Sequence, residues 1–247
     1  MKGVILAGGT GSRLFPLTKV TNKHLLPVGK YPMIFHSIAK LKEADIQDIL
    51  IVTGKEHMGD VVNLLGSGHE FGVALTYKVQ DEAGGIAQAL GLAEHFVNGD
   101  QMVVILGDNV FEDSIFPFVH NFRQQQKGAK ILIQEVHDPQ RYGVPELDGD
   151  RIISIEEKPK QPKSSYAVTG IYMYDSKVFD IVKMLKPSDR GELEITDVNN
   201  AYIEADELSY DILHGWWTDA GTHASLTRAN ELAKELAFGE EFGKLKL

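Results

Sequence analysis

The residues best suited to chemistry stand near the N-terminus, in Gly8-Gly9-Thr10-Gly11-Ser12-Arg13. Glycines let a backbone approach an anion closely, with its N–H groups turned toward the charge. Arg13 places a guanidinium inside the loop, and Lys23 adds an ammonium shortly before Leu25-Leu26-Pro27. Two cations beside free N–H groups suit a polyphosphate. The same residues also suit a tight turn with solvated basic side chains. Two other glycine loops are excluded. A dinucleotide fingerprint starting at Gly9 would need glycine where Leu14 stands, and a P-loop would need Gly-Lys followed by Ser or Thr.

Carboxylates form a second group. Asp108 follows the apolar run Met102 to Leu106 in Gly107-Asp108-Asn109, and Asp219 follows Trp216-Trp217-Thr218. Two carboxylates from separate strand ends, with substrate phosphates completing the shell, suit Mg²⁺. Either aspartate alone would serve as a helix cap or turn residue. Gln80, ahead of Gly84-Gly85, offers the donor and acceptor needed to read the imide edge of thymine or uracil, unless it belongs to an ordinary strand-to-helix loop. In Ile155-Glu156-Glu157-Lys158-Pro159 the lysine suits a sugar phosphate and Glu157 suits sugar hydroxyls. A surface charge run before proline is the alternative. The nine histidines show no metal-ligand spacing.

Elements must hold these groups together. Val4 to Ala7 reads as a buried strand, Pro32 opens a helix carrying Ile34, Ile38 and Leu41, and Ile49 to Val52 is a second strand. A helix around Val61 to Leu65, a strand Leu75 to Val79, a helix Ile86 to Phe96 and a strand Met102 to Leu106 continue the alternation. Strands apolar on both faces, alternating with helices, predict an α/β fold with a largely parallel sheet, whose ligands collect at the carboxyl ends of the strands. Later come a strand at Ile131 to Ile133, a hairpin around Asp148-Gly149, a strand Tyr166 to Tyr174 and a helix starting near Thr196 or Asp197. Leu226, Ala229, Leu232, Ala233 and Leu236 form the apolar stripe of an amphipathic helix over Ala224 to Phe238.

The motif GGxGxRLxPLT at Gly8 to Thr18, with Lys23 and Leu25-Leu26-Pro27-Val28, resembles the sugar-1-phosphate nucleotidyltransferases, most nearly those that use glucose 1-phosphate and dTTP. LGDN, W-x-D-x-G-T, YG, EEKP and Val-Thr-Gly segments carry the likeness along the chain. It implies a three-layer α/β/α fold around a mostly parallel, Rossmann-like mixed sheet. It also implies nucleotide binding by Leu6, Gly8, Gly9, Gly11, Ser12, Arg13, Gln80, Gly85 and Asp108. Sugar-phosphate binding falls to Asn109, Tyr142, Gly143, Glu157, Lys158, Val168, Arg190 and Glu192, and catalysis to Arg13, Lys23 and Lys158. The implied cofactor is Mg²⁺ on Asp108 and Asp219. The implied reaction gives dTDP-glucose and pyrophosphate, supplying rhamnose-type polysaccharide synthesis. Between Gln80 and Gly85 the sequence has Asp81-Glu82-Ala83 where the family usually includes prolines, and His24 stands where glutamine is common. UTP stays open as the nucleotide, because uracil lacks only the methyl group. A non-catalytic nucleotide sensor is disfavoured by the intact Arg13, Lys23, Asp108, Lys158 and Asp219.

Composition narrows the rest. A net charge of −10 argues against nucleic-acid binding, so the expected partners are small molecules, a nucleoside triphosphate and a sugar 1-phosphate. The absence of cysteine excludes disulfides and thiolate chemistry. No signal-peptide pattern and no apolar run near the roughly 20 residues of a membrane span appear, which predicts a soluble, cytoplasmic protein. The expected organisation is one domain over 1–247, its nucleotide part about 1–127 and its sugar-phosphate part about 128–247. Longer family members continue with helices used in subunit contacts and a regulatory nucleotide site. Neither is carried over, which leaves a homo-oligomer of unspecified geometry as the expectation.

Overall fold

The structure is a computed structural model, and it describes residues 1–236. The strands are β1 (Lys2–Ala7), β2 (Pro27–Val28), β3 (Tyr31–Pro32), β4 (Asp48–Gly54), β5 (Ala74–Gln80), β6 (Met102–Leu106), β7 (Asn109–Phe111), β8 (Ala129–Glu135), β9 (Gly143–Asp148), β10 (Arg151–Glu157), β11 (Tyr166–Tyr174), β12 (Leu208–Ile212) and β13 (Trp217–Asp219). The helices are α1 (Met33–Glu43), α2 (Met58–Leu65), α3 (Ile86–Gly91), α4 (Glu94–Val97), α5 (Phe116–Gln124), α6 (Val178–Met184), α7 (Ile195–Glu204) and α8 (His223–Leu232).

Seven strands form one sheet in the order β12-β8-β11-β6-β1-β4-β5. All pair in parallel except β11, which runs antiparallel to both β6 and β8. Alternation along each strand feeds two cores. Ile5, Ile51 and Ile105 face α1, α2 and α5, whereas Val4, Leu50 and Val104 face α3, α4, α6 and α7. Both faces are therefore covered, and the architecture is the expected three-layer mixed sheet.

A third, smaller cluster lies under the glycine loop. There Leu14, Leu26, Val28 and Met33 pack with Ala220 and with Leu226 and Ala229 of α8. The apolar stripe of the last helix thus closes on its own chain. That helix is shorter than its pattern predicts. It ends at Leu232, a 3₁₀ turn follows over Ala233–Glu235, and Phe238 lies outside the described residues. The predicted helix Ile86 to Phe96 is also divided. Around Leu92 and Ala93 the backbone N–H groups turn to carbonyls three residues back, Ala89 and Leu90, which tightens the chain and separates α3 from α4. Among the described residues no helix is long and apolar enough to cross a membrane.

His36 on α1 is 4% exposed, and its Nε2 donates to the Val28 carbonyl at 3.1 Å. Burial pushes this imidazole down to about 4 from an ordinary value of 6.5. Above pH 6.5 neither folded nor unfolded chain holds the proton. Below that, the unfolded chain takes it up first, so stability falls as pH drops toward about 4. His36→Gln keeps an N–H donor and removes the titration. It is expected to lower the pH slope of urea-unfolding stability between pH 6 and 4.5 by about 1 kcal/mol per pH unit. An unchanged slope would contradict the assignment.

Candidate active site

The carboxyl ends of β6, β1, β4 and β5 lie along one edge of the sheet because these strands run in one direction, and β11, running the other way, brings its first residues to the same edge. A cleft of about 550 Å³ opens there. Leu6, Gly8, Gly9 and Arg13 line it from the N-terminal segment, with Lys23, Gln80, Gly85, Asp108 and Asn109 beside them. From the second half come Tyr142, Gly143, Glu157, Lys158, Val168, Arg190, Glu192 and Asp219. Gly11 and Ser12 stay off the wall. Gly11 adopts φ +63° and its carbonyl accepts bonds from the Leu14 N–H and the Thr18 hydroxyl, both at 2.9 Å, so it shapes the turn that carries Arg13.

The charged centre is compact. A β-carbon at Gly221 would lie 3.1 Å from Arg13 Nη2, 3.4 Å from Asp108 Oδ2 and 3.6 Å from Asp219 Oδ2. Lys23 Nζ donates to Asp108 Oδ2 at 2.6 Å. Asn109 supports this aspartate with a 3.1 Å bond to Oδ1, while its own Oδ1 accepts from the Gly170 N–H at 2.9 Å and from Trp217 Nε1 at 2.6 Å. Every polar atom of the Asn109 side chain is thereby occupied, in holding Asp108 and Trp217 in place. Asp219 Oδ1 accepts from the Tyr142 hydroxyl at 3.1 Å and faces Arg141 Nη2 at 3.5 Å.

The two carboxylates sense each other. Burial would raise Asp108, but the Lys23 charge and the hydrogen bonds from Lys23 and Asn109 overcome it and hold the group well below the usual carboxylate range. Asp219 is raised, first by burial and then by the Asp108 charge. Two hard oxygen donors aimed at one region fit a divalent cation such as Mg²⁺. Among the described residues no group of three His, Asp or Glu converges, so oxygens of a substrate would have to complete the shell.

Gln80 is 7% exposed, and its amide nitrogen donates to Gln88 Oε1 at 2.6 Å and to the Gly85 carbonyl at 3.3 Å. Its oxygen stands over Gly8, where any β-carbon would collide with it. The nitrogen is thus committed to the loop, and the oxygen is the atom turned toward the β1 end. Gly85, at φ +101°, meets the backbone of Leu193, where a β-carbon would come within 2.5 Å of the carbonyl oxygen. Reciprocal bonds run from Leu193 N–H to the Gly84 carbonyl at 2.8 Å and from Ala87 N–H to the Leu193 carbonyl at 3.1 Å.

At the far end Glu157 Oε2 accepts from the Thr196 hydroxyl at 2.7 Å, and its Oε1 lies 3.1 Å from Lys158 Nζ. Lys158 has φ +48°, a conformation that bulky residues rarely adopt. Arg190 is held by Glu194, with Nη2 2.7 Å from Oε2 and Nε 3.1 Å from Oε1. Arg141, Tyr172, Glu194, Thr196, Trp217 and His24 also line the cleft and were not foreseen as site residues. His24 is 1% exposed and is bonded to Asn22 Oδ1 through Nδ1 at 2.7 Å. Burial, then the Lys23 charge, pushes it down to about 3, so it is a neutral imidazole packed on Gly107. Arg141, next to Tyr142, was the one with a readable signal.

Comparison with known proteins bears on this arrangement. The family model described as nucleotidyl transferase matches residues 2–235. A glucose-1-phosphate thymidylyltransferase of Neisseria meningitidis serogroup A is 45% identical over 235 residues, which are 93% of this chain and 81% of that protein. A crystal structure from Bacillus anthracis, provisionally described as a glucose-1-phosphate thymidylyltransferase in complex with a sucrose, is 67% identical with a TM-score of 0.95, covering 98% of this chain and 99% of that one. A UDP-glucose pyrophosphorylase complexed with UDP-glucose, 24% identical with a TM-score of 0.84 over 93% of this chain and 97% of that one, shares the fold.

Proposed function

Because the chain belongs to the nucleotidyl transferase family, we propose that it joins glucose 1-phosphate to dTTP, giving dTDP-glucose and pyrophosphate. The observation that carries this reading is the convergence of Arg13, Asp108 and Asp219 beside Gly221, with Lys23 bonded to Asp108. The names of the relatives support the substrate pair.

In this reading a sugar-phosphate oxygen attacks the α-phosphorus in line and pyrophosphate leaves. The attacking phosphate is already ionised, so no side chain has to remove a proton. Arg13 neutralises charge on the α-phosphate and on the leaving pyrophosphate. Lys23 orients the triphosphate or the incoming phosphate, and Lys158 holds the sugar phosphate. Glu157, fixed by Thr196, accepts bonds from sugar hydroxyls. Asp108 and Asp219 would hold Mg²⁺, whose charge would offset that of the phosphate oxygens. The Gln80 to Gly85 loop faces the base, so the nucleotide part is about 1–127 and the sugar-phosphate part about 128–247. The product would supply rhamnose-type polysaccharide synthesis in the cytoplasm.

A pyrophosphate-release assay over a matrix of sugar 1-phosphates and nucleoside triphosphates, with and without Mg²⁺, tests the reading. The expected maximum is dTTP with glucose 1-phosphate and Mg²⁺. A maximum with UTP would move the reading to uridylyl transfer, and no release with any pair would overturn it.

A further inference from the structure

The helix α8 starts directly after the Asp219–Gly221 turn. Thr222 caps it, its hydroxyl accepting from the Ser225 N–H at 3.2 Å while Ser225 Oγ accepts from the Thr222 N–H at 3.0 Å, so the direction of the first turn is set. The next residue, His223, places Nε2 2.9 Å from the carbonyl oxygen of Phe15. A carbonyl only accepts, so Nε2 carries the proton in this contact.

Phe15 lies two residues past Arg13, and its side chain is 60% exposed, so packing of that ring does not anchor the exit of the loop. Before Arg13 the Gly11 carbonyl is tied down by Thr18 and Leu14; directly after it Leu14 is buried with Ala220, Leu226 and Ala229, and the His223 bond to Phe15 holds the chain one residue further on. The Arg13 guanidinium itself rests against Gly221, two residues before His223. The same strap is bonded to the end of β6, because the Ala220 N–H donates to the Asp108 carbonyl at 2.7 Å. One short segment therefore meets Asp108 through its backbone, carries Asp219, touches the Arg13 head group, and grips the loop just beyond Arg13.

We infer that His223 is a positioning residue for Arg13: a latch that fixes the exit of the glycine loop to the Asp219 strap, so that guanidinium and carboxylates keep one geometry. This rests on the role of Arg13 proposed above. Misplacement of a transition-state group by about an ångström costs up to two orders of magnitude in rate, whereas a substrate held elsewhere in the cleft is unaffected.

The test measures kcat and the KM of glucose 1-phosphate, with melting temperature as a control for folding. His223→Ala is expected to lower kcat about tenfold while that KM stays within about twofold. His223→Gln, which keeps an N–H donor at similar reach, should recover kcat to within about threefold of the parent. In the Arg13→Ala background, His223→Ala should cost nothing further, because two residues acting through one group are not additive. Parental kcat in His223→Ala, a Gln variant as slow as the Ala variant, or a full tenfold loss on top of Arg13→Ala would overturn the latch while leaving the reaction reading intact. Full turnover of Arg13→Ala by itself would overturn the Arg13 role and the latch with it.

Discussion

Arg13→Ala is expected to lower kcat by about 10²–10³-fold while the KM of the sugar phosphate changes by no more than about threefold. Removing one preorganised donor from a site of developing charge costs about 3–4 kcal/mol of barrier. Arg13 is built for such a role. Leu14 beside it is fully buried, the Gly11 turn sets its approach, and its Nη2 reaches the region shared by Asp108 Oδ2 and Asp219 Oδ2. The proposed sugar end of the cleft, with Glu157, Lys158 and Thr196, lies on different elements. Arg13→Lys should recover only part of the loss, since an ammonium cannot bridge two oxygens as a planar guanidinium does. Steady-state kinetics with both substrates varied decides the matter, and equal losses in kcat and in sugar-phosphate affinity would remove Arg13 from the transition state.

Asp219→Asn is expected to raise the Mg²⁺ concentration for half-maximal activity by about tenfold or more. The substitution removes a full charge from the proposed two-carboxylate shell but keeps an oxygen that can accept from the Tyr142 hydroxyl, so the packing of Tyr142 against Trp217 need not change. Burial first, and then the charge of Asp108, already raise Asp219. A Mg²⁺ titration at saturating substrates measures the shift. The same midpoint in parent and variant would take Asp219 out of the metal shell.

The parts of this protein that could be read from its residues are those where one physical constraint acts alone. β1, β4 and β6 are buried on both faces, so Val4 to Ala7, Ile49 to Val52 and Met102 to Leu106 are continuous apolar runs. Arg13 and Lys23 stand out through the long motif GGxGxRLxPLT and the lysine after it, since the glycines alone suit a tight turn equally well. β12 is an edge strand, half-buried throughout; its Leu208-Ser209-Tyr210-Asp211-Ile212 does alternate apolar and polar residues, but over five residues only and without the continuous apolar run that marks the central strands. β7 and β13, three residues each, are defined by pairing across about a hundred residues of chain and leave no local period. Thr196 has the same difficulty. What makes it part of the cleft is its bond to Glu157, which arises only after α7 packs against β10.

The reciprocal bonds between Gly84, Ala87 and Leu193 tie the loop after β5 to the segment before α7. In the proposed site these are the wall for the base and the wall for the sugar, joined to each other by backbone hydrogen bonds. The two substrates should then help each other to bind. Whichever arrives first meets most of the loss of chain freedom, and the second finds its wall already set. Such coupling is reciprocal by thermodynamic necessity, so glucose 1-phosphate should tighten the nucleotide by the same factor as the nucleotide tightens glucose 1-phosphate. A turn of backbone too small to hold a side chain at Gly85 would in this way set how strongly the two substrates assist each other.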